Sequence, residues 1–396
     1  MRILLVSDYS TPTGGAEIYC LQLRTLLRKA GHDALLFSSS VGTKRQRLAD
    51  IECWGSENKI TNRLLQTFNP FAYFKLRRVI SKFKPDLVHL NLFLTQLSPA
   101  VLLAFKKTPV VYTAHLYKLI CPLGSKLLPD SEHCTVKAGK ACLKNKCLPL
   151  FLWPIDMVQR ILIRRYLRYV DMILANSSCT ERFMQASGIP VAKVLSYFLT
   201  TDYRSLPFPS TAPTVCFVGR LVPEKGVAIL LRAMRRVAND LPEAHLIIAG
   251  DGKEKRRLQI LSKQLNLDNV VEFLGYIPPE RLNEVWLRSH VQVVPSVWAE
   301  PFGLAAVEAM AVGRPVVATR GGGLEEIVVD QESGFLVSPG NVTQLSAKLL
   351  TLLQDSELAQ RMGERGSEVI KQRMNNHKIL AQVLAVYDSL LQSKGR

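Results

Sequence analysis

Three features of the chain predict two doubly wound α/β domains, each built on a parallel sheet. Short apolar runs closed by polar residues alternate with stretches of helical periodicity, the pattern of buried parallel strands and their crossover helices. The alternation stops at residues 200–213, a stretch with three prolines and several Ser and Thr, and then restarts. At 396 residues the chain exceeds one ordinary core and suits two domains of about 200 residues each.

Taken in order, residues 2–8 run Ile-Leu-Leu-Val after Arg2 and close on Ser7 and Asp8, as a buried strand does. Residues 11–15 form a Gly/Pro turn. Residues 16–29 then carry helical periodicity through Ile18, Leu21 and Leu26 until Gly31 stops them. Strands are expected at 34–37, 87–91, 110–113 and 172–175. The uncharged stretch 87–105 is long enough to span a bilayer. Its His89, Asn91, Thr95, Gln96, Ser98 and Pro99 argue instead for a strand, a turn and a helix. Beyond the break, strands are expected at 215–218, 246–249, 270–274, 291–294 and 315–318. A helical region over 342–392 follows, interrupted near Gly363 and Gly366. The domains are therefore residues 1–205, with a Cys-bearing insertion at 121–147, and residues 206–375. A last helix at 376–396 can cross back to the N-terminal domain. In open parallel sheets ligands bind beyond the carboxyl ends of the strands, so function should concentrate in the loops that follow them.

The net charge of +18 is uneven. Residues 1–205 hold 29 of the 51 Lys and Arg but 13 of the 33 Asp and Glu, leaving +16 there and +2 on the remainder. Such asymmetry points to an anionic partner for that half, or to no more than a solubilising surface. A hydrophobic fraction of 47% argues against disorder. The apolar run at residues 3–6 is too short for a secretory signal, which points to the cytoplasm, where structural disulfides are disfavoured.

Two segments carry chemistry. In Phe217-Val-Gly-Arg220-Leu-Val-Pro-Glu-Lys225-Gly226 a strand ends, Gly219 permits a turn, and two cations follow five residues apart before a helix. A diphosphate needs compact positive charge at such a loop: Arg clamps phosphate oxygens bidentately and Lys adds a point charge. Taken alone, the segment reads equally as a surface turn flanked by Arg and Lys. In Glu300-Pro-Phe-Gly303-Leu304-Ala-Ala-Val-Glu308, Pro301 and Gly303 prepare a helix N-terminus. The amides of Gly303 and Leu304 would point at an anion, helped by the helix dipole. Glu300 precedes that N-terminus and Glu308 follows it, so they can flank a diphosphate, one towards a sugar and the other towards a ribose. Glu308 sits among alanines, valine and methionine, where a carboxylate is costly unless it binds something. The plain alternative is a solvent-facing helix glutamate.

The Glu300/Glu308 spacing within E-P-F-G-L-A-A-V-E-A-M-A-V-G-R-P-V-V-A resembles the E-x7-E motif of retaining glycosyltransferases of family 4. The resemblance extends over nearly the whole chain. Arg220 and Lys225 resemble that family's pyrophosphate-binding pair, and Gly14-Gly15-Ala16-Glu17 its N-terminal glycine loop beside the donor phosphates. His115 resembles its histidine near the donor sugar, and Gly321-Gly322-Gly323-Leu-Glu-Glu-Ile its late G-G-x-x-E-I element. The resemblance implies the GT-B fold, two Rossmann-like domains facing across a cleft. It implies transfer with retention, without a catalytic metal or cofactor, with ribose hydroxyls on Glu308 and sugar hydroxyls on Glu300 and His115. From position alone, His115 at the end of a buried strand also reads as a structural hydrogen-bonder. We expect a nucleotide-diphosphate sugar as donor, a UDP-sugar first and GDP-mannose next. The acceptor is expected to be a hydroxyl of a saccharide or a lipid-linked glycan, in polysaccharide or lipid-glycan assembly. No G-x-G-x-x-G follows the first strand, which argues against NAD or FAD. Residues 197–203 depart from the short N-G-hydrophobic-D turn of many relatives.

Cys121, Cys134, Cys142 and Cys147, spaced C-x12-C-x7-C-x4-C, match no standard zinc pattern. Unpaired thiols are the first expectation for them, a structural zinc site the second. Residues 148–170 are the candidate membrane-facing element. Phe151, Leu152 and Trp153 precede a helix with Arg160, Arg164 and Arg168 four residues apart, plus Arg165. The mixture suits peripheral attachment to an anionic inner membrane face, or equally an ordinary packing helix with a solvated arginine face. A sugar-nucleotide epimerase or sugar phosphorylase of related fold is the alternative activity. A non-enzymatic basic nucleic-acid binder is the alternative class. No nucleic-acid motif accompanies the charge and no aromatics are interleaved as stacking platforms, so nucleic acid is not an expected partner.

Overall fold

A parallel neighbour can be reached only by a crossover of a dozen residues or more, so each strand pair in such a sheet carries a covering segment. In the computed structural model, which describes every residue except 13, 43–46, 130–132, 200–202, 204 and 396, that rule builds two all-parallel sheets. The chain divides into two compact units. The first is Met1–Pro129, Cys134–Phe198 and Asn376–Arg396; the second is Asp130–His133 and Leu199–Asn375.

The first unit runs β1 (Arg2–Val6), α1 (Gly15–Lys29), β2 (Asp33–Ser39), β3 (Ile51–Cys53), α2 (Lys59–Leu65), α3 (Pro70–Phe83) and β4 (Leu87–Leu90). It continues with β5 (Val110–Ala114), α4 (Ala141–Lys144), α5 (Trp153–Tyr166), β6 (Met172–Ala175), α6 (Ser178–Ala186) and β7 (Lys193–Val194). The sheet order is β3-β2-β1-β4-β5-β6-β7, so the winding reverses between β1 and β4. β4 and β5 are buried throughout, which is why they read as mostly apolar runs, broken only by His89 and Thr113, and not as alternation.

The second unit runs β8 (Thr214–Val218), α7 (Val227–Asp240), β9 (His245–Ala249), α8 (Lys255–Gln264), β10 (Val271–Gly275), α9 (Leu282–Leu287) and β11 (Val291–Val294). Then come α10 (Leu304–Ala311), β12 (Val316–Thr319), α11 (Leu324–Ile327), β13 (Gly334–Val337), α12 (Val342–Gln354) and α13 (Ser356–Arg373). Its order, β10-β9-β8-β11-β12-β13, reverses between β8 and β11. On α7, Leu230, Met234 and Val237 face one way at helical spacing and join Val215, Phe217, Leu246 and Ile248 in one buried core. The buried guanidinium of Arg314 donates to Trp286 O (2.9 Å), Pro207 O (2.6 Å) and Leu206 O (3.3 Å), tying the end of the linker to this unit.

The last helix, α14 (Asn376–Ser393), belongs to the first unit. There the Tyr387 hydroxyl lies 2.6 Å from His89 Nδ1, both groups fully buried.

Several expectations need correction. The helix expected up to residue 105 is a 3₁₀ segment, Pro99–Phe105, entered through Ser98 at φ 77°. Three short strands escaped the sequence reading: β3 and β7, with three and two residues, and β13, which begins on a glycine. The breaks in the C-terminal helical region fall at Asp355 and at Met374 and Asn375, not at the glycines. Gly363 and Gly366 lie inside α13 for close packing. A Cβ on Gly363 would stand 2.1 Å from Gly313 O, and one on Gly366 3.4 Å from Met310 Cγ. Residues 200–202 and 204 of the linker lie outside the described residues.

Helix-interior Gly→Ala ordinarily stabilises by about 0.5–1 kcal/mol. Gly363→Ala should instead destabilise by about 2 kcal/mol, because overpacking against a fixed carbonyl dominates. Urea denaturation measures it, and an increase in stability would restore the reading of Gly363 as a helix breaker.

Candidate functional site

At a reversal of winding the loops leaving two adjacent strands go to opposite faces and open a crevice at the carboxyl edge. In the second unit those strands are β8 and β11. Their loops are the two segments that carry chemistry in the sequence.

The loop after β8 passes Arg220, which is exposed, makes a 3₁₀ turn at Pro223–Lys225 and enters α7 through Gly226 at φ 69°. It lies against the loop after β11. Val297 N–H donates to Glu224 O at 3.0 Å, and a Cβ on Gly226 would stand 1.9 Å from Pro295 O. Only glycine allows that approach and that backbone. The contact sets Lys225 beside Glu300: its ammonium donates to Glu300 Oε1 at 2.8 Å and Oε2 at 2.9 Å.

Glu300 is buried, and Oε2 also accepts from Ser296 Oγ (2.8 Å) and Trp298 Nε1 (2.9 Å). Burial by itself would raise this carboxyl. The Lys225 ammonium and the two neutral donors outweigh it and hold the group below its ordinary value of 4.5. Among the described residues Oε1 accepts only from Lys225, so it is the oxygen with acceptor capacity to spare. On its other side, Glu300 pairs with Gly322, and Gly323 N–H donates to Glu300 O at 2.6 Å. The G-G-G run after β12 thus buttresses the loop that carries Glu300.

α10 begins beyond Gly303, which sits at φ 106° and gives no side-chain cap. Leu304 and Ala305 in its first turn are partly exposed, while the helix from Ala306 to Ala311 is buried. A positive helix end with uncapped amides therefore reaches solvent here. Glu308, one turn beyond Leu304 on the same face, is buried and not solvent-facing. The structure thus laces Lys225 to Glu300 and sets both loops beside one reversal, with Arg220 on the outer part of the loop. Among the described residues Arg220 forms no ion pair.

In the first unit Gly15 opens α1, after Gly14 as an extended N-cap without a side-chain bond. Thr13 of that turn lies outside the described residues. His115 directly follows β5 and is buried. Burial, with His89 nearby, pushes its imidazole down to about 3, so it is neutral near pH 7. Both ring nitrogens are taken: Nε2 lies 3.0 Å from Asn91 Oδ1, and Nδ1 lies 2.5 Å from the Tyr197 hydroxyl. Asn91 Nδ2 faces Cys20 Sγ at 3.3 Å and donates to His89 O at 3.5 Å, a carbonyl that can only accept, which sets the amide orientation. The His115 proton is therefore on Nε2, and Nδ1 accepts from Tyr197, whose oxygen accepts from Asn176 Nδ2 at 3.3 Å.

Asn91, His115 and Asn176 each directly follow a strand, β4, β5 and β6. Sequence reasoning singled out one of the three, although a polar residue just past an apolar run was a signal common to all. It also passed over Asp8, whose carboxyl oxygens accept backbone N–H from Thr95 (2.8 Å), Gln96 (2.7 Å) and Leu97 (2.9 Å). That residue clasps the loop after β4 to the loop after β1, the two strands of the first reversal.

Among the described residues Cys121, Cys134, Cys142 and Cys147 form no disulfide, the first being buried and the others half-buried. Burial pushes the Cys142 thiol up. Among the described residues no group of three or more His, Cys, Asp or Glu is placed to hold a metal ion.

Residues 13–195 match the family model described as Glycosyltransferase Family 4, and residues 200–369 the one described as Glycosyl transferases group 1. A D-inositol 3-phosphate glycosyltransferase of Corynebacterium jeikeium is 39% identical over 92% of this chain and 91% of its own. The chain belongs to glycosyltransferase family 4. A phosphatidyl-myo-inositol mannosyltransferase of Mycolicibacterium smegmatis is 25% identical over 98% of this chain and 94% of its own. Among solved structures, sucrose-phosphate synthase from Thermosynechococcus elongatus matches this glycosyltransferase with TM-score 0.77 at 24% identity, over 99% of this chain and 100% of that one. Anabaena HepE in complex with UDP and glucose matches with TM-score 0.73 at 21% identity, over 98% and 100%. The fold is GT-B.

The depressed Glu300 carboxyl sets a pH signature. Its stabilising pairing is complete above the ordinary value of 4.5 and is lost as pH falls through the lower folded-state value. The Tm gap between the wild type and Glu300→Gln should therefore be constant above that value and narrow below it. A gap that stays constant under acid would contradict an ionised Glu300.

Proposed function

We propose that this glycosyltransferase moves a sugar from a nucleotide-diphosphate sugar to a hydroxyl of a saccharide or lipid-linked acceptor, with retention at the anomeric carbon. One observation carries the reading: the second reversal holds a lysine–glutamate pair next to an uncapped helix N-terminus. A diphosphate supplies the anion that such a helix end and Lys225 favour, each charge-assisted bond contributing about 1.5–3 kcal/mol. Arg220 and the amides of Gly303 and Leu304 complete the diphosphate contacts, Gly15 adds a backbone contact, and Glu308 takes the ribose hydroxyls. Lysine has three donors, so Lys225 can hold a phosphate oxygen and Glu300 together.

Glu300 then offers Oε1 to a sugar hydroxyl. His115, being neutral, gives a polar contact to the sugar and does not act as a base. That contact requires one of its two present bonds to open. The bond from the anomeric carbon to the phosphate oxygen breaks as the acceptor oxygen bonds on the same face, and the departing phosphate oxygen takes the acceptor's proton. The protein's part is placement and charge stabilisation. The leaving group's charge is met by Arg220, Lys225 and the helix end without a divalent ion.

A UDP-sugar is the first choice of donor, supported by the likeness to HepE, whose structure holds UDP. GDP-mannose is the second, supported by the mannosyltransferase relative. A thermal-shift series with UDP-, GDP- and ADP-sugars tests the donor: one sugar nucleotide should raise Tm more than its bare nucleoside. Proton NMR of the product should show the donor's anomeric configuration, with turnover unchanged by EDTA. No stabilisation by any sugar nucleotide, or an inverted product, would overturn the proposal.

A further inference from the structure

The first unit exposes large apolar side chains that its own core does not use. Apart from Ile260, Tyr276 and Leu287, every strongly exposed large hydrophobic residue among those described belongs to it. Most of them sit on three helices and the segments leading into them. Ile60 (76% exposed) and Leu64 (58%) are one turn apart on α2. Phe71 (55%) and Phe74 (66%) share a face of α3, opposite the buried Ala72, Leu76 and Val79. Phe151 (76%) precedes α5, on which Val158 and Ile161 (64%) point outward.

These elements are joined. Arg63 of α2 pairs with Asp156 of α5, and Gln159 Nε2 donates to Gln66 O at 2.5 Å. The Trp54 ring stands edge-on to Phe71, 5.2 Å between centroids. One correction follows for α5: Arg160 is turned inward, donating to Leu119 O at 2.5 Å, so only Arg164, Arg165 and Arg168 face solvent.

The charge around this surface is predominantly positive. Residues 59–84 and 134–170 together contain 15 Lys and Arg and a single acidic residue, Asp156, which is buried in its pair with Arg63. On α3 the exposed stripe runs Phe71, Phe74, Lys75, Arg78, aromatic at one end and cationic at the other. Exposed aromatics of this size, ringed by cations that far outnumber the one neighbouring exposed carboxylate, Glu57, complement a surface that is apolar a few ångströms down and anionic on top. Among the described residues no helix is long and apolar enough to cross a membrane, so any attachment by these helices lies in the interface plane.

We propose that α2, the first turns of α3 and the start of α5 form a docking surface for an anionic lipid bilayer. Phe71, Phe74, Ile60 and Phe151 enter the headgroup boundary, and Lys75, Arg78, Arg164 and Arg165 meet lipid phosphates. The surface is independent of the donor reading above.

Vesicle co-sedimentation tests it. The protein should bind vesicles containing phosphatidylglycerol and not pure phosphatidylcholine, with binding that weakens as salt rises. Lys75→Ala with Arg78→Ala should weaken binding roughly 25-fold, about fivefold for each cation. Phe71→Ser with Phe74→Ser should weaken it tenfold or more without lowering Tm, since both rings are exposed, whereas Ile260→Ser should leave it unchanged. Trp54 emission should shift to the blue with anionic vesicles. Failure to bind them at low salt, or binding indifferent to the phenylalanine pair, would overturn the proposal. So would a dimer in light scattering that the same pair abolishes, since the face would then belong to a second copy.

Discussion

Parallel strands admit no tight return, and this constraint organises both halves of the molecule. Most crossovers carry a helix to one face of a sheet, and a sheet wound in both directions has one place where consecutive loops part. Here those places are β1/β4 and β8/β11. At each, a polar side chain bridges the parting loops: Asp8 by three backbone amides in the first unit, and Lys225 by an ion pair in the second. The crevices are thus stapled where they would otherwise be loosest. The staples stand where a ligand would lie.

The Lys225–Glu300 pair has a double consequence. It keeps a buried carboxylate ionised, which burial alone would oppose. It also keeps a cation in a half-buried place that an anion can reach. A buried ion pair is weak evidence for stability, because desolvation takes back much of the attraction. Its worth in this enzyme is positional. On the proposed reading, an arriving diphosphate would find the ammonium already held in place by Glu300.

The strands were legible because burial on both faces forces short, mostly apolar runs such as residues 3–6 and 87–90, closed after four or five residues by polar ones. The loops that carry Arg220, Lys225 and Glu300, and the start of the helix that carries Glu308, were legible because glycine and proline punctuate them. Contacts remote in sequence were not. Nothing near His115 announces Tyr197 and Asn176 as its neighbours. Arg160 repeats at the spacing of Arg164 and Arg168, yet it turns inward to a carbonyl of the segment after β5. Gly363 looks like a stop signal until Gly313 O is found against it. In each case the deciding atom lies dozens of residues away.

The central claim is that Lys225 holds the leaving diphosphate while remaining tied to Glu300. Calorimetric titration of UDP into the wild type, Lys225→Ala and Glu300→Gln tests it most directly. Lys225→Ala should lose about 10- to 100-fold in affinity, the worth of one or two charge-assisted bonds. Glu300→Gln should bind UDP as tightly as the wild type, or more tightly, since the ammonium is then released to the phosphate. Equal affinity in Lys225→Ala and the wild type would contradict the account.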